Sequence, residues 1–229
     1  MSNEKNGINR AAAVNTATVR IRRKIVKGEY TKGMSLTETQ LAEECALSRG
    51  SIRSALSVLE SEGLILSKKN GRKEVLGITI PYVMDLYDMR MTLELKGLHA
   101  IIERNVETDY DYISSLLGSL GGLSQADTDD ADLYAKKDMI FHRTLIQLAG
   151  NRTLECCWNV VEAVIWTLQS VNSEFSERSG GYENHVAKEH SSMLKQILAR
   201  DPAVYEAMTQ HIKNAQIATI KILEKRGNM

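Results

Sequence analysis

Residues 48–64 read SRGSIRSALSVLESEGL, and this stretch decides the fold of the front of the chain. Ser48 is a good N-cap for a helix, and Gly63 ends that helix. Four apolar residues follow the i, i+3, i+4, i+7 spacing of an inward-facing helical stripe: Ile52, Ala55, Leu56 and Leu59. Arg49 and Arg53 lie one turn apart on a different, exposed face. The stretch therefore predicts an amphipathic helix that presents two arginines near its N-terminus.

The segments on either side of this helix also have clear secondary-structure signals. A helix is predicted over about 11–27, with Gly28 as its stop, and a second begins at Thr37, which forms a capping box with Gln40. After the third helix, two short β-runs flank Asn70–Gly71, the strongest local signal for a hairpin. The hairpin tip carries Lys68, Lys69, Arg72 and Lys73. This is the order of a winged helix-turn-helix.

Charge divides the chain in the same way. The 29 Lys and Arg balance the 29 Asp and Glu overall, but residues 1–80 hold fourteen basic and eight acidic ones. A basic N-terminal region favours a polyanionic partner. The third helix can enter a major groove, and a cationic hairpin can lie along phosphates or the minor groove. Taken singly, Arg49 and Arg53 are better explained as solvated charges, whereas the whole set favours DNA binding.

The stretch IVKGEYTKGMSLTETQLAEECALSRGSIRSALSVLESEGLI (25–65) resembles the N-terminal domain of GntR-family bacterial transcription regulators. The resemblance implies a winged helix-turn-helix over 11–78, after a flexible N-terminus at 1–10. It also implies contacts to DNA from Arg49 and Arg53, from Ser48 and Ser51 on phosphates, and from Gly71 at the wing tip. The charge of the hairpin itself predicts DNA contacts from Lys69 and Arg72. The chain departs from the family at Lys32, Thr39 and Gly50, which bears on the operator sequence.

Beyond Pro81 the pattern is helical almost to the end of the chain. A long amphipathic helix covers about 82–104, with Met84, Tyr87, Met91, Leu95 and Leu98 on one side. Another helix is predicted over about 110–120, and a Gly- and Asp-rich loop follows it. No repeat period emerges, so residues 83–226 are predicted to form one antiparallel bundle of six or seven helices, after a linker at 79–82. The expected fold class is therefore mostly α.

Four polar residues of this bundle can converge. Asp138 and His142 lie one turn apart in DMIFHRTL, and His190 and His211 flank the turn at 200–202 at matching distances along their helices. One carboxylate and three imidazoles suit Zn²⁺ and would also accept Ni²⁺, Mn²⁺ or Fe²⁺. For any single histidine, an ordinary core or surface role is the commoner one. The matching depth of all four predicts a divalent metal site.

Residues 82–220 also resemble the FadR C-terminal effector domain (FCD) in its metal-containing form, and all four metal positions match. The resemblance implies a metal at the floor of a pocket that binds small carboxylates. It also implies that Arg90, paired with Glu94 in the family's R-x-x-x-E position, contacts the effector. From the residues alone, an i, i+4 salt bridge between Arg90 and Glu94 explains them equally well.

These patterns predict a ligand-responsive DNA-binding regulator, and they leave two alternatives open. We expect a cytoplasmic homodimer that binds a pseudo-palindromic operator as a repressor, with no membrane span, because no apolar run approaches ~18 residues. No catalytic residue is predicted. One alternative is a metal-dependent hydrolase, for which Glu189 is the candidate general base. The other is a regulator with a purely structural metal. The three cysteines, at 45, 156 and 157, are expected to be small buried hydrophobes.

Overall fold

A computed structural model of the chain describes residues 2–69, 71–103, 131–174 and 182–227. The helix expected over about 110–120 lies outside these residues. The chain divides into two compact units, Met1–Thr79 and Ile80–Met229. The division falls between Thr79 and Ile80, and the domain boundaries at 78 and 83 stay predictions.

The first unit contains three helices and a small sheet in its described residues. These are α1 (Ser2–Lys27), β1 (Ser35–Leu36), α2 (Glu38–Cys45), α3 (Arg49–Ser61), β2 (Ile65–Ser67) and β3 (Lys73–Val75). The strands are antiparallel, in the order β1-β3-β2. Helix α1 begins at Ser2, so its backbone covers residues that we expected to belong to a flexible N-terminus.

The core of the first unit forms where α1 packs against α3. All the predicted inward residues of α3 are buried, as are Ala17, Ile21 and Ile25 of α1. A buried ion pair joins the same two segments, because Arg22 Nε donates to Glu62 Oε2 at 2.8 Å. The amphipathic pattern of residues 48–64 thus predicted how α3 packs in this unit.

The predicted hairpin is present and forms the wing. Gly71 N donates to Lys68 O at 2.8 Å, and Lys68 N donates to Arg72 O at 2.8 Å. Gly71 has a φ of 77°, a left-handed conformation that glycine adopts without steric cost. Lys73, which we placed at the tip, instead lies in β3, where its ammonium bonds Glu60 at 2.7 Å.

The second unit is helical throughout its described residues. It contains α4 (Ile80–Glu103), α5 (Ala131–Leu148), α6 (Arg152–Ser173), α7 (Tyr182–Ala199) and α8 (Ala203–Gly227). Helix α4 begins at Ile80, so most of the linker expected at 79–82 is helical. Asn151 Oδ1 caps α6 by accepting from Thr153 N and Leu154 N, and Asp201 Oδ1 accepts from Ala203 N at the start of α8.

Helix α4 lies at the centre of this unit and contacts α5, α6 and α8. Its buried face differs from the predicted one, because Met84 is 49% exposed while Arg90 and Glu94 are fully buried. The two charged residues can occupy the core because they form an ion pair with each other, Arg90 Nε to Glu94 Oε1 at 2.7 Å. The predicted stripe is correct at Tyr87 and Leu98, which are fully buried, and wrong at Met84. A pattern based on apolar residues alone could not find Arg90 and Glu94.

The expectation of buried thiols is wrong for Cys156 and Cys157, which are exposed on α6, and Cys45 is half-buried. Among the described helices, none combines the length and the apolar character needed to cross a membrane.

Candidate DNA-binding surface and metal centre

The N-terminus of α3 is fixed by two serines. Ser48 Oγ accepts from Ser51 N at 3.1 Å, and the two hydroxyl oxygens lie 2.9 Å apart. Ser48 is exposed, whereas Ser51 is only 4% exposed. The structure therefore assigns Ser51 to the helix cap, while its predicted contact with a phosphate finds no exposed hydroxyl to support it.

Arg49 and Arg53 project from α3 with side chains 65% and 66% exposed. Arg53 donates from Nε and Nη2 to the two carboxylate oxygens of Glu38, each at 2.7 Å. Arg49 Nη2 lies 3.9 Å from Glu38 Oε2. The hydrogen bond from Arg53 holds the pKa of Glu38 below its ordinary value. Sequence reasoning missed Glu38, whose only signal was its place after the N-cap of α2.

The wing supplies further exposed cations. Lys69, Gly71 and Arg72 are all exposed at its tip, as predicted. Lys68 lies 3.1 Å from Glu74, so its charge is partly balanced. Helix α3 and the wing thus present two groups of exposed basic side chains from one unit.

In the second unit, α5, α7 and α8 bring the four predicted metal ligands together: Asp138, His142, His190 and His211. His211 Nε2 lies 3.2 Å from His142 Nε2 and 3.3 Å from His190 Nε2. Asp138 Oδ1 lies 3.6, 3.3 and 3.8 Å from the Nε2 atoms of His142, His190 and His211. Donors about 2.0–2.1 Å from a tetrahedral Zn²⁺ are about 3.3 Å apart, so these separations fit a single ion.

The outer nitrogens of two histidines face carboxylates. His142 Nδ1 lies 2.5 Å from Glu94 Oε2, and His211 Nδ1 lies 2.9 Å from Glu189 Oε2. A carboxylate accepts hydrogen bonds, so each Nδ1 carries a proton, and the Nε2 of neutral His211 directs a lone pair inward. The Nε2 atoms of His211 and His142, 3.2 Å apart, share a hydrogen bond when His142 is protonated, and a metal ion would replace that proton. Carboxylates behind ligand histidines are the usual outer layer of a protein metal site.

The electrostatics of the cluster also favour a cation. Burial lowers the pKa of His190, and burial together with the charge of His142 lowers the pKa of His211 to about 4, so both imidazoles are neutral at pH 7. Burial opposes the charge of Asp138, but the neighbouring His142 and His190 hold its pKa well below the ordinary range. His190, His211 and Asp138 thus have the protonation states that a divalent metal requires. Burial opposes the charge of His142, but the carboxylate of Glu94 raises its pKa, so metal binding would displace a proton from this imidazole.

Arg90 is the other unusual group near this cluster. Its side chain is fully buried, and Nη1 and Nη2 have no hydrogen-bond partner. Burial opposes its charge, but the carboxylates of Glu94 and Asp138 outweigh that effect and raise the pKa of Arg90. Gln169, which sequence reasoning missed, donates from Nε2 to Asp138 Oδ2 at 2.8 Å, and its buried Oε1 is unpartnered.

Two predicted roles change in this geometry. Both oxygens of Glu94 are engaged, one by Arg90 and one by His142, so Glu94 holds its neighbours in place and has no oxygen directed at an effector. Glu189, the candidate base of the hydrolase alternative, contacts Nδ1 of His211 and thus lies on the outer side of that imidazole. Arg90 can both form the salt bridge to Glu94 and contact an effector, since the salt bridge uses only Nε and leaves both Nη groups available.

The fold and these two groups of residues define a DNA-binding protein with a helical unit able to hold a metal. Comparison with known proteins supports this class. Residues 14–75 match the family described as "Bacterial regulatory proteins, gntR family". Residues 85–214, more than half of the chain, match the FCD domain. The chain belongs to the GntR family of bacterial regulators with an FCD domain, and it is a DNA-binding transcriptional regulator, which confirms both resemblances.

Individual relatives agree with this assignment. The gluconate operon transcriptional repressor of Bacillus subtilis is 26% identical over 201 residues, which cover 86% of this chain and 80% of the repressor. The transcriptional regulator LutR of the same organism is 26% identical over 212 residues, 84% of this chain and 94% of LutR.

Solved structures show the same fold. Lar, which controls expression of the Listeria monocytogenes agr system, superposes with a TM-score of 0.67 at 15% identity over 91% of this chain and 96% of Lar. A GntR-family regulator from Pseudomonas syringae gives 0.52 at 23% identity over 95% of this chain and 89% of that chain.

Proposed function

We propose that this regulator binds a double-stranded, pseudo-palindromic operator as a homodimer and responds to a small carboxylate. In this proposal the helical unit holds a divalent metal, with zinc preferred over nickel, manganese or iron, on Asp138, His142, His190 and His211. Helix α3 enters the major groove and the wing lies on the backbone or minor groove. The observation that carries the effector proposal is Arg90, fully buried with both Nη groups unpartnered.

A carboxylate is the ligand that these groups favour. Buried N–H donors without partners cost about 1–3 kcal/mol each, and a guanidinium edge matches the two oxygens of a carboxylate. The bound metal would supply a Lewis-acidic position for the same ligand. The unpartnered Oε1 of Gln169 favours an effector that also carries a hydroxyl donor. Gluconate has both groups, and two curated relatives are repressors of gluconate operons.

The effector controls DNA binding only through a difference in its affinity for two arrangements of the protein. In a homodimer, two α3 helices about one DNA turn apart would contact two half-sites, and a change in their spacing weakens both contacts together. We propose repression that the effector relieves, in line with the names of the gluconate relatives.

The hydrolase alternative has less support, because Glu189 is held against His211 and cannot act on a water inside the cluster. The second alternative, a regulator whose metal is purely structural, is harder to separate from the proposed function. It would leave the two Nη groups of Arg90 and Oε1 of Gln169 without hydrogen-bond partners, whereas effector binding supplies them.

The test uses the full chain and a duplex from upstream of its own gene. Binding is followed by fluorescence anisotropy while gluconate and a panel of other small carboxylates are titrated. We expect at least one carboxylate to change the DNA affinity by about fivefold or more. Arg90→Met should bind DNA but lose that response. A response that survives Arg90→Met, or a wild type whose DNA binding is insensitive to salt and to sequence, would overturn the proposal.

A further inference from the structure

Glu38 is a carboxylate in the middle of a surface that should attract DNA. It lies between Arg49 and Arg53, which are one turn apart on α3 and repel each other. A solvated surface charge would not need both of its oxygens engaged by one arginine. Glu38 is 26% exposed and is the first residue of α2, where Thr37 caps the helix and the helix dipole favours an anion.

The contact leaves a defined part of the arginine available. An arginine carries five N–H donors, and Arg53 gives one on Nε and one on Nη2 to Glu38. The remaining donors, on Nη1 and the outer side of Nη2, form one edge of the guanidinium. That edge can donate two hydrogen bonds, to O6 and N7 of a guanine in the major groove. With the side chain 66% exposed, this edge remains in solvent.

The same carboxylate lowers the attraction of α3 for phosphates. A cluster of two arginines alone would bind any DNA more tightly, because phosphate contacts carry no sequence information. The carboxylate is therefore unfavourable for nonspecific affinity and favourable for the orientation of Arg53. A flexible arginine gains discrimination when its rotamers are restricted before binding.

We propose that Glu38 is a specificity-determining positioning residue, which holds the guanidinium of Arg53 with its outer edge toward the bases instead of the phosphates. This inference rests on the proposed placement of α3 in the major groove. Arg49, whose Nη2 is 3.9 Å from the same carboxylate, is held more loosely and remains available to the backbone.

The experiment measures affinity for two duplexes with the full-length protein. One is the duplex most enriched by wild type from a random-sequence pool, and the other is a scrambled duplex of equal length and composition. Glu38→Gln removes the charge and keeps the size. Glu38→Asp keeps the charge and shortens the side chain by one methylene. Glu43→Gln, an exposed acid on the same helix, is the matched control for charge.

We expect Glu38→Gln to raise the affinity for the scrambled duplex about threefold at low salt. The ratio of selected to scrambled affinity should fall about tenfold. Glu38→Asp should lower the ratio without raising scrambled binding, and Glu43→Gln should leave the ratio unchanged. In an Arg53→Ala background, Glu38→Gln should have no further effect on the ratio, which a general electrostatic role would not predict.

The outcomes separate the inference from the function on which it rests. A wild type that enriches no sequence would refute the proposed DNA recognition itself. If wild type selects a sequence while Glu38→Gln and Glu38→Asp both keep its ratio, only the positioning role is overturned. Equal unfolding temperatures across the set show that any change comes from recognition and not from misfolding.

Discussion

The two units each contain an arginine–glutamate pair, and the pairs differ in burial. In the first unit, Arg53 contacts Glu38 through Nε at 2.7 Å with its side chain 66% exposed. In the second, Arg90 contacts Glu94 through Nε at 2.7 Å with neither side chain exposed. The exposed arginine forms a second bond to its glutamate, whereas the buried one leaves both Nη groups without a partner.

The difference in burial between the two pairs indicates what each pair can bind. An exposed ion pair contributes about 0–1 kcal/mol, so DNA can rearrange it at little cost to the fold. A buried pair must balance large desolvation costs, and unpartnered buried donors add to them. Such donors are retained where a ligand supplies the missing acceptors. The exposed pair is therefore suited to recognition of a large surface, and the buried pair to recognition of a small anion.

The largest expected effect tests the burial difference directly. Arg90→Met should destabilise the second unit by about 3 kcal/mol, because it leaves Glu94 buried without its cation. Arg53→Met should change stability by less than about 0.5 kcal/mol. Urea denaturation followed by tryptophan fluorescence measures the second unit, since both tryptophans lie in α6. Equal stability of the two variants would refute the claim that the buried pair matters more to folding than the exposed one.

The buried carboxylates behind the histidines should control metal affinity. We expect Glu94→Gln to weaken zinc binding about 10–100-fold, and Glu189→Gln less, because Glu189 is 29% exposed and Glu94 is fully buried. Competition with a chromogenic chelator measures the affinity. His99→Ala is the control, since His99 is 54% exposed and pairs with Glu103 away from the cluster.

The metal assignment itself is tested by the content of the isolated protein. Wild type and His99→Ala should contain stoichiometric metal, and Asp138→Ala should lose most of it. An Asp138→Ala protein with unchanged content would show that the metal lies elsewhere.

The exposed arginines should affect DNA binding and leave the other unit unchanged. Arg53→Ala should weaken binding to a selected duplex about tenfold and relax the preference at one base position. Arg49→Ala should weaken selected and scrambled duplexes to a similar extent and reduce the salt dependence. Metal content should be the same in both variants. A loss of metal in either would mean that the two pairs are not independent.

Sequence patterns predicted the first unit more completely than the second. Helix α3 has apolar residues at strict helical spacing and a serine cap, so its core residues and its exposed arginines followed from local rules. In α4 the same rules failed at Arg90 and Glu94, because burial of these charges depends on tertiary partners such as His142. Periodicity treats charged residues as exposed and cannot detect a pair that neutralises itself.

The candidate site shows the same limit. The cluster of Asp138, His142, His190 and His211 could be predicted. Asp138 and His142 are one turn apart, and one helical hairpin with the rise per residue places His190 and His211 at one level. Glu189, Gln169 and Glu38 could not be assigned, because their roles depend on which side-chain atom they face. Glu189 was considered as a base from its position next to His190, and only the distance to His211 Nδ1 places it behind a ligand.

A third ion pair, of intermediate burial, gives the smallest expected effect. Lys73 Nζ contacts Glu60 Oε2 at 2.7 Å, with side chains 22% and 34% exposed, and Ser67 N donates to Glu60 Oε1 at 2.8 Å. The hydrogen bonds from Lys73 and Ser67 lower the pKa of Glu60 from 4.5 to about 2. Its contribution to stability is therefore complete above about pH 4.5 and is lost as the pH falls toward 2.

Glu60→Gln should thus lower the stability of the first unit by less than about 1 kcal/mol at pH 7, since solvent screens half-exposed charges. The difference from wild type should shrink steadily between pH 4.5 and pH 2. Urea denaturation followed by far-UV circular dichroism, with tryptophan fluorescence marking the second unit, measures it. An effect as large as that of Arg90→Met would mean that burial does not set the strength of these pairs.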